Sequence, residues 1–207
     1  MPPNMLEQRI QQHFIDSADL LYQGGAALSK PLSQAVQALL ACVTSGGKVL
    51  ACGAGVSGLL AAQFASQFVN RFERDRPALA ALALPGVADD PLADTRQGAD
   101  PQGFARPLRA LGEAGDVLLT LSPCGESAAV LAAVAAAHER EMTVIALTGG
   151  VGSGAGGAVG RALRETDVHI CVPHERVPRV HEAHLIALHC LCDGVDAQLL
   201  GEQEISA

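Results

Sequence analysis

Two short turns rich in glycine and hydroxyl side chains carry the residues best suited to bind a ligand. Residues 52–58 read Cys-Gly-Ala-Gly-Val-Ser-Gly, and residues 122–127 read Ser-Pro-Cys-Gly-Glu-Ser. Each turn follows a short apolar run and precedes a helical pattern, and a helix N-terminus attracts anions through its unpaired N–H groups and its dipole. The turns therefore predict a site for a phosphorylated small molecule. The residues expected to bind it are Gly53, Gly55, Ser57, Ser122, Gly125 and Ser127.

The first turn is open to two other interpretations. Gly53-x-Gly55-x-x-Gly58 matches the dinucleotide-binding fingerprint. That fingerprint requires an acidic residue at the end of the second strand to bind a ribose, whereas Asp89 comes well after that strand. Alternatively, the glycines only permit a tight turn. The hydroxyl of Ser57 and the presence of a second, serine-rich turn favour a compact phosphate group.

The elements that position these turns alternate between strand and helix. Helical periodicity is clearest at residues 57–72 and 126–140, and a final helix is predicted at residues 179–200. Such alternation predicts an α/β fold, a doubly wound parallel sheet sandwiched by helices. Ligands of such sheets bind beyond the carboxyl ends of the strands, where both turns fall. The five predicted strands are residues 48–52, 79–84, 116–121, 143–147 and 168–172.

Two amphipathic helices are predicted before the first strand. Apolar residues recur every three or four positions from Leu6 onwards, Gly24 and Gly25 are expected to end the first helix, and Pro31 to open the second. Helices ahead of the first strand are predicted to cover the sheet or to pack against another subunit. The chain is predicted to be one domain, residues 1–207, with the helices at 1–45 and the α/β core at 46–207.

Two stretches lack periodicity. Residues 85–102 are rich in Asp, Gly and Pro and predict a long loop, and the glycines of residues 149–157 predict a flexible segment before a short helix. Arg71, Arg74 and Arg76 are expected either to line a cleft or to solvate a loop.

Composition narrows the classes of partner. The chain has 207 residues, 49% of them hydrophobic, and a net charge of −8, which argues against direct binding of nucleic acid. No apolar run approaches the ~18 residues of a membrane-spanning helix, and the N-terminus lacks the apolar block of a signal peptide. The six cysteines form no Cys-x-x-Cys pair and indicate a reducing compartment. A cytoplasmic location is therefore expected.

The order of these motifs resembles that of a known family. A strand, Cys-Gly-x-Gly-x-Ser and a helix, then a strand, Ser-x-x-Gly-x-Ser and a helix, resemble the sugar isomerase (SIS) domain. The leading helices and a final helix carrying Arg179-Val-His-Glu-Ala-His narrow the resemblance to the phosphoheptose isomerase branch. Within it, residues 68–77, 109–119 and 189–193 are most similar to proteins that associate with the replication initiator DnaA. The resemblance implies a flavodoxin-like strand order and a homotetramer that binds sugar phosphate between subunits.

The resemblance also assigns the phosphate to hydroxyl groups of the two turns. The matching hydroxyls here are Ser57, Ser122 and Ser127. Pro123 stands where the family usually has Thr, which removes one hydroxyl and one N–H. Cys124 and Glu126 replace a usual Ser and Asn, and Glu126 adds negative charge near the expected anion.

The positions that the family uses for catalysis have changed. Aldose–ketose isomerisation needs a base that moves a proton between adjacent carbons, and the resemblance implies a Glu after the first turn and a His on the last helix. Gln67 occupies the Glu position, and a carboxamide has no basic site at neutral pH. His189 keeps the His position, while Gln63 and His181 match the additional positions of zinc-binding members. No cofactor is expected; zinc would need His181 or His189 together with ligands from another element.

Because of Gln67, the sequence favours a protein without catalytic activity. We predict a tetrameric scaffold that binds the DnaA initiator and promotes its assembly at the origin through multivalent contacts. Leu199 and Leu200, an apolar pair after the last helical turn, are the expected contact residues. The alternatives are a phosphoheptose isomerase acting on sedoheptulose 7-phosphate, and a sensor that binds a sugar phosphate without turnover.

Overall fold

A five-stranded parallel sheet forms the centre of the protein. The structure, a computed structural model, describes residues 3–85 and 100–201. The strand order is β2-β1-β3-β4-β5, which confirms the predicted doubly wound sheet with its flavodoxin-like order. The three inner strands are almost entirely buried because helices cover both faces. The strands are β1 Val49–Gly53, β2 Ala81–Ala83, β3 Val117–Ser122, β4 Thr143–Gly149 and β5 Val168–Val172.

The helices divide into two layers according to the side chains that each strand presents. Alternate strand residues such as Val49 and Ala51 pack against α1, α2 and α6, whereas Leu50 and Cys52 pack against α3, α4 and α5. A short 3₁₀ turn, Gly152–Gly154, precedes α5. The helices are α1 Pro3–Thr44, α2 Val56–Val69, α3 Ala105–Leu111, α4 Ala128–Glu139, α5 Gly157–Ala162 and α6 Val177–Leu200.

The prediction of two N-terminal helices is wrong, because α1 is continuous through the glycine pair and through Pro31. Glycine and proline oppose an isolated helix by about 1 and 3 kcal/mol respectively. The buried stripe nevertheless continues across these residues, with Leu20 before the glycine pair, Leu28 between it and Pro31, and Leu39 after Pro31. Burial of this stripe against the sheet and α6 outweighs the local preference to break.

Most of the long loop predicted at residues 85–102 lies outside the described residues. The short helix predicted after the glycine-rich segment is confirmed as the six-residue α5. Across residues 3–85 and 100–201, no helix combines the length and apolarity needed to cross a membrane.

Candidate functional site

The two serine turns lie side by side at the carboxyl edge of the sheet. They are neighbours because β1 pairs with β3, which places Gly53 opposite Leu121. One turn leads from β1 into α2, and the other leads from β3 into α4. Ser57 and Ser122 are buried there, with 1% and 3% of their surfaces exposed. The fold therefore brings the two predicted turns together.

Close backbone packing explains the glycines of the turns. A Cβ on Gly53 would lie 2.7 Å from the Cβ of Ser57, so any larger residue would push α2 away from β1. Gly125 has φ of +67°, and a Cβ there would overlap the carbonyl oxygen of Gly156. The segment at residues 149–157, predicted to be flexible, is thus packed beneath the second serine turn, and Val159 N also donates to Gly125 O at 2.8 Å.

Glu126 is engaged by the neighbouring helix α5. Its Oε1 accepts a hydrogen bond from Ala158 N at 3.1 Å and lies 4.0 Å from Arg161 Nη2. A carboxylate at a helix N-terminus is stabilised by the helix dipole. Its negative charge is therefore partly compensated, which reduces the repulsion expected for an anion in the turn.

Ser127 caps α4 while keeping its proton available. Its Oγ accepts from Val130 N at 3.4 Å. A hydroxyl that accepts a hydrogen bond can still donate its own proton, so Ser127 can cap the helix and contact a phosphate oxygen simultaneously.

Two histidines of α6 reach the carboxyl edge of the sheet. His181 Nε2 lies 3.2 Å from Ser57 Oγ, and His184 Nε2 donates to Thr148 O at 3.0 Å. Burial lowers the pKa of His181. It also lowers the pKa of His184 to about 4, since the ring is fully buried. Both rings are neutral at physiological pH, so they offer hydrogen bonds rather than positive charge.

We expect the buried His184 to make stability fall in acid. Its pKa of about 4 lies below its usual value of 6.5, so between these values the unfolded chain binds more protons. The contribution, about 3 kcal/mol, is complete above pH 6.5 and is lost as the pH falls towards 4. Urea unfolding of wild type and His184→Asn between pH 7 and 4 measures it. Equal pH dependence in the two proteins would contradict this role.

The family positions on α2 (Gln63 and Gln67) and on α6 (His181 and His189) lie along the contact between these two helices, here called the α2–α6 seam. Gln63 Nε2 lies 3.3 Å from His189 Nε2, and Cys192 Sγ lies 3.8 Å from Gln67 Oε1. Burial, and secondarily the nearby Asp196 carboxylate, raises the pKa of the Cys192 thiol to about 12, so the thiol donates to Gln67. This leaves the amide NH₂ of Gln67 able to donate to a ligand.

The family positions of the seam supply only two of the donors that a zinc site uses. These positions supply two imidazoles and two neutral carboxamides, whereas protein zinc sites use Cys, His, Asp and Glu. His181 and His189 also have different partners, Ser57 and Gln63. In the described ranges, no three His, Cys, Asp or Glu side chains gather into a possible metal site.

Several contacts were missed by sequence reasoning. Arg76, predicted either to line a cleft or to solvate a loop, is buried and forms an ion pair with Asp196. Thr148 bonds His184 through its carbonyl oxygen and contacts His169 Nε2 through its hydroxyl at 2.7 Å. No local sequence signal marks these pairs, because their members are separated by at least 21 positions.

Comparison with known proteins agrees with this architecture. The SIS-domain family model matches residues 12–149. The matched residues contain strands β1 to β4 and both serine turns. The chain therefore belongs to the SIS-domain family. Its full-length relatives show that it belongs to the phosphoheptose isomerase branch of that family.

Those relatives span essentially the whole chain. The phosphoheptose isomerase of Methylibium petroleiphilum is 57% identical over 205 residues, 98% of this chain and 99% of its own length. That of Azoarcus sp. is 45% identical and covers 96% and 99% respectively. The solved phosphoheptose isomerase from Francisella tularensis is 37% identical, with a TM-score of 0.79 over 91% of this chain and 97% of that one.

These relatives overturn the main functional prediction. A non-catalytic scaffold for the DnaA initiator is wrong, because the similar full-length proteins are phosphoheptose isomerases and favour the enzymatic alternative. Leu199 and Leu200 are partly exposed at the end of α6, at 37% and 39%. The prediction that they contact the DnaA initiator depended on the scaffold function and fails with it.

Proposed function

We propose that this protein is a phosphosugar isomerase that acts on sedoheptulose 7-phosphate. The observation that carries the proposal is the meeting of two serine turns with a helix that presents His181 and His189. The names of the full-length relatives supply the substrate class.

The phosphate is bound by the two serine turns. Hydroxyls of Ser57, Ser122 and Ser127 donate to its oxygens, and the N-termini of α2 and α4 add backbone donors and dipole charge. His181, neutral and held against Ser57, contributes a hydrogen bond at the same end of the site. With its phosphate bound in this way, the open-chain sugar extends towards the α2–α6 seam.

His189 moves the proton. Its ring nitrogen removes a proton from C1 of the open-chain ketose while the carbonyl oxygen at C2 gains one, which gives an enediol. Returning a proton to C2 while the C1 hydroxyl loses its proton yields the aldose phosphate, so no net proton is consumed. The amide groups of Gln63 and Gln67 donate to the oxygens that become negative during these steps.

Replacing His189 with alanine is expected to lower kcat by about 10³-fold, because general base catalysis contributes roughly 10²–10⁴. The measurement is conversion of sedoheptulose 7-phosphate by the purified protein. His174→Ala is the matched control, since within the described residues the only hydrogen bond of its ring is accepted from Arg176 N at 2.9 Å. Conversion that persists in His189→Ala would contradict the assigned role.

A second candidate is binding of a sugar phosphate without turnover. The observation that favours it is Gln67, which gives the seam a neutral amide where a carboxylate base would be useful. A bound ligand raises stability as its concentration exceeds Kd. Absence of turnover combined with a higher Tm in sedoheptulose 7-phosphate, but not in free sedoheptulose, would select this candidate.

We further propose that the protein forms a homotetramer in the cytoplasm. The first half of α1 exposes a large apolar surface that other subunits would cover, and all six cysteines, each within the described ranges, are unpaired. Sedimentation should give four times the 21.3 kDa chain mass, and a monomer would refute this assembly. The exposed apolar residues are Met5, Leu6, Ile10, Phe14, Ile15 and Tyr22.

A further inference from the structure

The segment between α2 and β2 carries a buried arginine that contacts both helices of the α2–α6 seam. The Arg76 side chain is 1% exposed and that of Asp196, on α6, is 3% exposed. Arg76 Nε donates to Asp196 Oδ1 at 2.5 Å. Within the described residues, Asp196 Oδ2 has no hydrogen-bond partner, so this arginine alone compensates the buried carboxylate.

The other nitrogens of Arg76 cap the end of α2. Nη2 donates to Gln67 O at 3.0 Å, and Nη1 donates to Phe68 O at 2.8 Å. These are among the last four carbonyls of α2, which have no partner within the helix. The Phe68 ring lies below the guanidinium, 5.8 Å from its centre. Only a planar fork of several donors can make all these contacts together.

The contacts along the seam form a regular series. Going along both helices, Gln63 meets His189, Gln67 meets Cys192, and the end of α2 meets Asp196 through Arg76. The α6 residues are spaced by three and four positions, so they share one face of the helix. The Arg76–Asp196 contact therefore fixes the position of one helix along the other, two turns away from His189.

Arg76 also anchors the segment between α2 and β2, which contains Phe72. This residue lies between the end of α2 and Arg76, and its ring centre is 5.4 Å from that of His189. His189 therefore contacts both the amide of Gln63 and the ring of Phe72. Loss of the arginine fork would release both contacts.

We infer that Arg76 is a positioning residue: with Asp196 it sets the register of α2 against α6 and so orients the His189 ring for its reaction. The kinetic part of this inference rests on the proposed isomerase function, and the geometric part does not.

The test uses Arg76→Met/Asp196→Leu, which removes both charges and leaves no buried unpaired ion. We expect kcat to fall by about tenfold or more, because small displacements of a catalytic group are costly, while KM changes less than about twofold since the serine turns still hold the phosphate. The single variant Arg76→Lys keeps the ion pair but lacks the planar guanidinium with its several donors. Its kcat should therefore lie between those of the wild type and the double variant.

A spectroscopic readout decides the geometry without turnover. In protein labelled at His and Phe, the double variant should lose the nuclear Overhauser contact between Phe72 and His189 and shift the His189 ring signals. The His169 signals should stay unchanged. The control is Arg109→Met/Glu139→Leu, which removes an exposed ion pair between α3 and α4 on the other face of the sheet.

The possible outcomes separate the two proposals. An intact Phe72–His189 contact with unshifted His189 signals in the double variant would overturn the positioning role. If wild type shows no turnover but the double variant loses the contact, the positioning of His189 stands and the isomerase function fails. An equal fall of kcat in the control variant would also overturn the inference.

Discussion

Replacing Gln67 with glutamate is expected to raise the isomerase kcat by about 10²-fold. The change is isosteric and exchanges the Gln67 amide for a carboxylate on the α2–α6 seam, one helical turn from the Gln63 that contacts His189. A general base contributes roughly 10²–10⁴, and we expect this gain to exceed the loss of the amide donor. Because Gln67 is half-buried, the new carboxylate should have a pKa nearer neutrality than an exposed one. The measurement is kcat for sedoheptulose 7-phosphate over a range of pH, where a new acidic limb should appear.

The matched control for this prediction is Gln37→Glu, which makes the same chemical change at an exposed position of α1. It should leave kcat and its pH profile unchanged. An unaltered kcat in Gln67→Glu would mean that this side chain does not face the reacting carbons. If Gln67→Glu gives turnover to a wild type that has none, the wild-type site binds the sugar phosphate without the base that its conversion needs.

Placing a methyl group on Gly125 is expected to damage both the fold and the phosphate site. The Gly125→Ala Cβ would overlap Gly156 O, and φ is +67°, in the left-handed region. The strain and the clash together should lower the free energy of unfolding by about 4 kcal/mol. Sugar-phosphate affinity should fall by about tenfold because the second serine turn must move, measured by urea unfolding and calorimetric titration.

Gly115→Ala isolates the contribution of the clash. Gly115 has φ of +90°, but nothing lies within 4 Å of the position that a methyl group would take, so it shares the backbone strain and lacks the contact. This variant should lose about 1 kcal/mol and bind sugar phosphate normally. Equal effects of the two substitutions would show that the packing of the second turn on Gly156 is unimportant.

The phosphate-binding edge was predictable because it depends on local patterns. Short apolar strands alternating with helices require a parallel sheet, and such a sheet places the turns after β1 and β3 at the same edge. Ser57 and Ser127 occupy helix starts that the glycine and serine spacing marks directly. Their chemistry follows from the backbone of a helix N-terminus, which needs no knowledge of distant residues.

The choice of function was not predictable from one substitution. Gln67, together with the resemblance of residues 68–77, 109–119 and 189–193 to DnaA-associating proteins, led to a scaffold function. A side chain's chemical role depends on what surrounds it, however, and the full-length relatives are isomerases. The structure adds that Gln67 accepts from Cys192 and can still donate its own N–H groups. A residue that cannot act as a base can still stabilise negative charge.

The sequence determined the alternation of strands and helices, the two turns and the histidines of α6, since each depends on residues a few positions apart. Tertiary packing decided the rest. The helix α1 continues through Gly24 and Pro31 because burial of its apolar stripe exceeds the local cost. Arg76 is buried because Asp196, 120 positions away, compensates its charge. The burial and ion-pair energies that stabilise these arrangements arise only when distant segments come into contact, so no local sequence pattern predicts them.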